Sequence, residues 1–418
     1  MKNITSRLRT VAVNCKKLTL LASLPLVSMQ VIADEDHEFE RAQHVSKETA
    51  IYQDSQLLAK ERGISTREVA ASLAFQNEFE AFFKETLKAY PNQIARVWVE
   101  KVPHQEAHIQ FVGDMPNVKT NLNIHVSDGG LFSFQEQEQR AAALTELLKS
   151  NDESNFLTYF DHQSGQIKLE MKSINRAQAM SSEALDQMLI RATSQLDTDE
   201  KSLLKGLTIE DIDYEVVEGS GEIYDFDWAR GGEWLNRNNS NMCTSGWAVS
   251  GPNGNGIVTA AHCTGLDELD HHYTTSDPTM TFRSQERGNG DVEYHTTSHT
   301  EVAEYYARED EVRDVTGIKL TWLMFAGQSV CEYGRSDNVR SCNHDVISNN
   351  VTATFTDGVT VSNLVRVTGD DSIGGDSGGP WSWGTVAWGV HSGSNGSTSL
   401  FTPVQRAQSE LNITILTQ

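Results

Sequence analysis

Basic residues are the scarce component of this chain: 34 lysines and arginines stand against 58 aspartates and glutamates in 418 residues, a formal charge of -24. A nucleic-acid partner needs clustered Lys and Arg to neutralise phosphates, so this balance excludes that class; otherwise an acidic surface mainly keeps a chain soluble. Long apolar runs are scarce as well. After residue 33 no stretch approaches the ~20 apolar residues that a bilayer span requires, which sets membrane partners aside. The one early run, Leu18 to Val27, is shorter than that, contains Pro25, and follows Arg7, Arg9, Lys16 and Lys17. With Val31-Ile32-Ala33 ahead of Asp34, residues 1–33 read as a signal peptide cut after Ala33, so the remainder is expected to be secreted and extracellular.

Cysteine is sparse and unevenly placed. Of 5 in the chain, Cys15 leaves with the signal peptide, and Cys243, Cys263, Cys331 and Cys342 all fall in the second half. An even count in an oxidising compartment predicts two bridges. Nearest-neighbour pairing, Cys243–Cys263 and Cys331–Cys342, is one of three connectivities. None of these spacings is the close pairing that zinc usually takes. No metal ligand set and no cofactor is read from the sequence.

Two halves follow different patterns. From Asp34 to Val217, helical and strand-like segments alternate. Glu78–Tyr90 carries Phe79, Phe82, Phe83, Leu87 and Tyr90 at helical spacing, and Pro91 ends it. Ile94–Val99 and Ala107–Val112 alternate as a strand pair. The pattern then recurs, with a helix near Ala141–Leu148, strands at Phe156–Phe160 and Gln166–Met171, a helix at Ser182–Leu196 and a strand at Ile212–Val217. This predicts an α+β region with a weak internal repeat and no catalytic cluster. Around Glu218–Glu222 helical periodicity vanishes and Gly, Ser, Thr and Asn become frequent. Short β-branched runs at Gly256–Thr259, Val351–Phe355, Val359–Thr368 and Thr385–Ser392 predict antiparallel all-β structure. Only Val404–Leu411 looks helical there. The expected domains are 1–33, 34–220 and 221–418.

Gly374-Gly-Asp-Ser-Gly-Gly-Pro380 is the most informative heptapeptide. An acyl-transfer nucleophile must sit on a tight turn, its hydroxyl projecting while backbone N–H groups converge on the developing oxyanion. Flanking glycines permit that turn. Ser377 then needs a base, and Thr259-Ala-Ala-His-Cys263 supplies His262 at the end of an apolar strand. A carboxylate must hold the imidazole in its productive tautomer. In Gly288-Asn-Gly-Asp-Val-Glu-Tyr294, Asp291 stands between a turn and a strand and is preferred; Asp314 is its main competitor, and Asp310 a weaker one.

In this order, His262, Asp291 and Ser377 with TAAHC and GGDSGGP resemble the chymotrypsin-like serine peptidases, specifically their bacterial streptogrisin branch, over roughly Gly231 to Leu416. The resemblance implies two packed antiparallel six-stranded β-barrels with the site between them, preceded by an α+β pro-region. It implies a secreted endopeptidase that forms an acyl-enzyme on Ser377, with the backbone N–H groups of Gly375 and Ser377 as oxyanion hole. Ser392-Gly393-Ser394 is expected to pair with substrate backbone, Ser392 also lying near Asp291. Partners are then protein or peptide substrates and the chain's own pro-region, acting as folding aid and inhibitor. Ala95-Arg-Val-Trp-Val99 and Tyr159–Gly165 are similar in pattern to the branch's repeated pro-region units.

Departures are visible too. The branch usually carries a third bridge near the nucleophile, but Asp371–Gly374 and Asn395–Ser397 lack both cysteines. No Ile-Val-Gly-Gly start follows a basic residue. His391, Ser392, Ser394 and Ser372 fall where glutamyl endopeptidases of the branch have pocket histidine and serines, which implies preference for Glu before the scissile bond. The alternatives are cleavage after Arg or Lys, with Asp371 six residues before Ser377, and a non-catalytic protein-binding relative.

Overall fold

The computed structural model describes residues 43–151, 156–173, 181–194, 203–204, 207–218, 232–238, 240–270 and 278–418. The signal-peptide segment and the junction at 219–231 lie outside the described residues.

Serine caps start the helices of the first half. The Ser46 hydroxyl accepts the Thr49 N–H to open α1 (Lys47–Arg62), which ends at Gly63 in the left-handed region. Reciprocal Ser65/Glu68 and Ser133/Glu136 capping boxes open α2 (Thr66–Ala89) and α3 (Phe134–Ser150). α4 spans Ser182–Ser194. α1 has no counterpart in the sequence reading, because its buried positions include Asp54 and Ser55 in place of an apolar stripe.

The internal repeat is real and has a defined topology. Strands Ile94–Val99 and Ala107–Val112 pair antiparallel, and Ile124–Gly130 joins the second of them in parallel. Strands Phe156–Phe160 and Ile167–Ser173 likewise pair antiparallel, with Ile212–Glu218 parallel to the second. Phe75, Phe79 and Phe83 of α2 pack on the first sheet, and Leu144 and Leu148 of α3 with Leu185 and Leu189 of α4 on the other.

In the second half, strands Ser329–Tyr333, Pro380–Trp383, Val386–Ser394, Thr398–Pro403, Thr360–Thr368 and Arg340–Thr354 follow one another in the sheet, and the last pairs back to the first. That closes one six-stranded barrel. The expectation of two such barrels is met only once. The region before it forms the three-stranded sheet Glu268–Asp270, Trp234–Arg237, Ser240–Thr244 and four strands of a five-stranded sheet, whose edge strand Thr414–Ile415 comes from beyond the barrel. Both sheets contribute to one core, with Leu235, Met242, Ala248, Ile257, Leu269 and Met280.

A second core joins this region to the barrel. Trp247, Val258 and Tyr294 meet Ala387 and Val390, and α5 (Val404–Leu411) adds Val404, Ala407 and Leu411. The first half is continuous with the barrel as well: Leu157, Thr158 and Tyr159 pair with Ala353, Thr352 and Val351, so three of its strands extend the barrel sheet.

Candidate active site

The strand Gly254–Thr259 delivers His262 one short turn beyond its end, where the Cys263 N–H donates to the Ala260 carbonyl at 3.1 Å. The Cys243–Cys263 bridge ties that turn to the neighbouring strand, and Cys331–Cys342 is the second bridge. Asp291 opens the strand Val292–Thr297, after a turn in which Glu286 accepts the N–H groups of Gly288 and Asn289. The Asp291 carboxylate then grips His262 twice. Oδ2 lies 2.6 Å from the imidazole Nδ1, and Oδ1 accepts the His262 backbone N–H at 3.1 Å. A carboxylate can only accept here, so the imidazole proton sits on Nδ1 and the Nε2 lone pair is left for chemistry. Asp291 is itself fixed, its N–H donating to Thr402 Oγ1 at 2.9 Å.

Asp314 is elsewhere, paired with His44 at 2.7 Å, and Asp310 is exposed. Neither competitor holds the histidine.

Ser377 is fully buried and His262 nearly so. Backbone contacts lock the serine's turn to both neighbours. The Thr244 N–H donates to the Ser377 carbonyl at 2.8 Å, and the Thr244 hydroxyl to the Gly375 carbonyl at 2.9 Å. Gly378 and Gly379 exchange hydrogen bonds with His391 at 2.8 and 2.9 Å. Gly378 has φ +89°, and a Cβ there would lie 2.0 Å from Thr259 Oγ1 and 2.3 Å from the Thr244 carbonyl oxygen. Only glycine lets the serine's turn press this closely against the strand that leads to His262. Asp376 braces the turn from beneath, accepting the N–H groups of Ser336 at 2.8 Å and Ile373 at 2.7 Å. Burial and then the nearby Asp337 push its carboxyl up to about 7, against those hydrogen bonds.

Of the expected pocket residues, His391 bonds directly to this turn, through Gly378 and Gly379. His391 is buried, and its Nδ1 accepts the indole N–H of Trp381 at 3.2 Å. The proton of a neutral His391 therefore sits on Nε2, which has no hydrogen-bond partner among the described residues. Burial, then the nearby His262 and His344, push His391 down to about 3. The Trp381 ring lies nearly parallel to those of His391 and Phe401, with centroids 6.0 and 5.0 Å away. Ser392 does not touch Asp291 directly; its hydroxyl lies 3.1 Å from that of Thr402, which takes the Asp291 N–H. Ser392, Gly393 and Ser394 lie at the end of the strand Val386–Ser394, and Gly393 and Ser394 pair with Leu400 and Ser399. The Ser372 hydroxyl donates to Asp370 Oδ1 at 3.1 Å.

Beside the two segments that lack the cysteines the resemblance leads one to expect, Asp370 Oδ2 accepts the Gly396 N–H at 2.6 Å.

Thr402, Trp381, Glu332 and His344 were not singled out from the sequence. Trp381 follows the heptapeptide directly, and Glu332 is an acid inside an apolar strand, so both left a local trace. Thr402 and His344 left none. Glu293 and His295, bonded at 2.8 Å and fully buried, lie just beyond Asp291; burial raises the Glu293 carboxyl, while the bond to His295 opposes this.

No protein-family model and no curated protein matches the chain. Solved structures do. A Cellulomonas bogoriensis chymotrypsin is 26% identical over 46% of this chain and 99% of its own, with a TM-score of 0.38. Thermobifida fusca protease A is 28% identical over 46% of this chain and 100% of its own, at 0.39. A glutamic-acid-specific serine protease described as using a histidine triad in substrate binding is 24% identical over 45% of this chain and 100% of its own, at 0.37.

Proposed function

We propose that this chain is the precursor of a secreted serine endopeptidase with His262, Asp291 and Ser377 as its triad. The observation that carries the reading is the double hold of Asp291 on His262, at 2.6 and 3.1 Å. It fixes the imidazole tautomer that a general base for a serine hydroxyl requires.

In this mechanism His262 Nε2 takes the proton as Ser377 attacks the scissile carbonyl, and later delivers it to the leaving amine. Asp291 stabilises the imidazolium. The N–H groups of Gly375 and Ser377 receive the oxyanion. Ser392–Gly393–Ser394 adds the substrate backbone as a further strand.

Residues 34–220 act in this reading as a pro-region removed between Glu218 and Gly231. The pairing of Leu157–Tyr159 with Val351–Ala353 supports this role, because it offers the barrel a preformed strand edge.

Preference for Glu before the scissile bond is favoured by the neutral His391, whose Nε2–H is a buried donor suited to a carboxylate. The competing reading, cleavage after Arg or Lys, has the half-exposed Asp371 in its favour.

Ser377→Ala is expected to abolish peptide hydrolysis and leave the secreted chain uncut; an active, processed Ser377→Ala protein overturns the assignment. Matched peptides ending in Glu, Arg and Phe decide the specificity. Glu should be cleaved fastest, and His391→Val should remove that advantage. Faster cleavage after Arg, abolished by Asp371→Ser, replaces it with the competing reading.

A further inference from the structure

Among the described residues, four groups of potential metal-ligating side chains come together. Two of them contain both cysteines of a disulfide, which leaves no thiolate to bind, and His44 with Glu304 and Asp314 forms a group at the surface. The fourth, Glu332, His344 and Asp371, is different in kind.

His344 Nδ1 lies 2.7 Å from the Thr368 carbonyl oxygen. A carbonyl only accepts, so Nδ1 carries the proton and Nε2 presents a lone pair. That lone pair faces Glu332 Oε1 at 3.5 Å and Asp371 Oδ2 at 3.4 Å. Glu332 Oε1 and His344 Nε2 are both buried and have no hydrogen-bond partner among the described residues. With both carboxyl groups ionised, three acceptors face one another with no donor between them. The remaining contacts do not relieve this. The Ser341 hydroxyl donates to Asp371 Oδ2 at 2.6 Å, and the other Glu332 oxygen lies 3.7 Å from His391 Nδ1.

The separations discriminate between remedies. A shared proton would draw a carboxyl oxygen and an imidazole nitrogen to roughly 2.7–2.9 Å. Ligand atoms about 2.1 Å from a tetrahedral metal ion are instead about 3.4 Å apart along each edge. The two observed distances match the edge. The imidazole is also held as a ligand would be. Trp381 packs edge-on against it at 5.1 Å, and Gly369, at φ +80°, lies so close that a Cβ would meet Nδ1 at 3.0 Å. A backbone carbonyl on the far ring nitrogen is the usual outer partner of a metal-bound histidine. The Asp371 side chain is 52% exposed, which gives an ion a way in.

We propose that Glu332, His344 and Asp371 bind one divalent cation of the zinc class, with water completing the tetrahedron. Imidazole with carboxylates suits such ions, and the near absence of solvent around Glu332 and His344 makes the unoccupied cluster costly. The site lies on the strand Ser329–Tyr333, the strand Arg340–Thr354 and the segment leading to Ser377, so the ion would clamp all three. It does not depend on the chemistry assigned to Ser377.

The test uses the full chain carrying Ser377→Ala, stripped with a chelator and titrated with zinc chloride by calorimetry and with cobalt chloride by absorption. One tight equivalent, with the intense visible bands of tetrahedral cobalt, is expected. Glu332→Gln and His344→Gln should each weaken binding by about 100-fold or more, and Asp371→Asn by at least about 10-fold. Asp371→Asn changes a half-exposed side chain, so it reports on the ion even where a buried substitution disturbs folding. His44→Ala, at the surface cluster, should leave the equivalent untouched. Unchanged binding in folded Asp371→Asn, loss of the equivalent in His44→Ala, or no saturable binding by the parent chain overturns the proposal.

Discussion

The Asp291 carboxylate holds His262 with both oxygens; Arg287 Nε lies 3.6 Å from Oδ1, and the Thr402 hydroxyl accepts the Asp291 N–H. Thr402→Val keeps the shape and removes that acceptor. A buried N–H left without a partner costs about 1–3 kcal/mol. We expect kcat to fall by roughly 10–100-fold with KM little changed; a KM effect with unchanged kcat would show that Thr402 serves substrate binding instead. How far such residues could be read in advance depends on whether their chemistry is local. In the proposed triad, Ser377 and His262 announce themselves because a nucleophile's turn and a base's strand end need particular neighbours in sequence. Thr402 lies more than a hundred residues from Asp291 and looks like any strand threonine. Asp291 differs from Asp314 in its turn-to-strand context; its carboxylate lies on His262 Nδ1, and that of Asp314 on His44.

At the scale of elements, α1 shows why hydrophobic pattern alone misses a helix. Its docking group is Asp54, buried between Arg313 at 3.0 Å and Arg340 at 2.8 Å, with the Gly384 N–H donating at 2.7 Å. Those two arginines and that N–H hold its carboxyl below the usual range in spite of burial. Asp54→Ala takes from the buried Arg340 its carboxylate partner and leaves Arg313 with Glu311 alone, and should lower stability by about 3–5 kcal/mol. The denaturant midpoint of the Ser377→Ala chain measures this, and a change below 1 kcal/mol would reject the buried-pair account.

The contact of α3 with the barrel is expected to depend on pH. Its Glu138 and the buried His162 line a cavity of about 410 Å³ that also touches Asn350 and Arg406. Burial pushes the Glu138 carboxyl up to about 7, with a hydrogen bond from Asn350 opposing it. The folded chain therefore holds a proton that the unfolded chain loses near 4.5. This contribution is fully present below 4.5 and is lost as pH rises through 7. Burial pushes His162 down to about 4, so its contribution runs the other way, present above 6.5 and lost as pH falls through 4. Melting the Glu138→Gln chain beside its parent isolates the first effect. The substituted chain should gain stability relative to the parent as pH rises from 4.5 to 7, and parallel curves would rule the effect out.

For the whole molecule, the division into an α+β half and a β half was legible from composition and periodicity. Their joining was not. Pairing between Leu157–Tyr159 and Val351–Ala353 bridges nearly two hundred residues and leaves no periodic trace. Nor could the closing of only one barrel be read, since short β-branched runs look alike in a closed ladder and in two facing sheets. The join has an energetic reason. Barrels rich in long-range contacts fold slowly, and a partner that already presents a matching edge lowers the entropy of closing them. The second half expressed alone should therefore remain inactive, and adding residues 34–220 as a separate chain should restore peptide hydrolysis. Full activity without that addition would show that the first half has another task.

The clasp between Asp370 and Gly396 joins two segments beside the pocket by one hydrogen bond of 2.6 Å. A sulfur bridge there would be permanent until a thiol attacked it. The Asp370–Gly396 contact needs no oxidant to form, so a reductant that opened Cys243–Cys263 and Cys331–Cys342 would leave it in place.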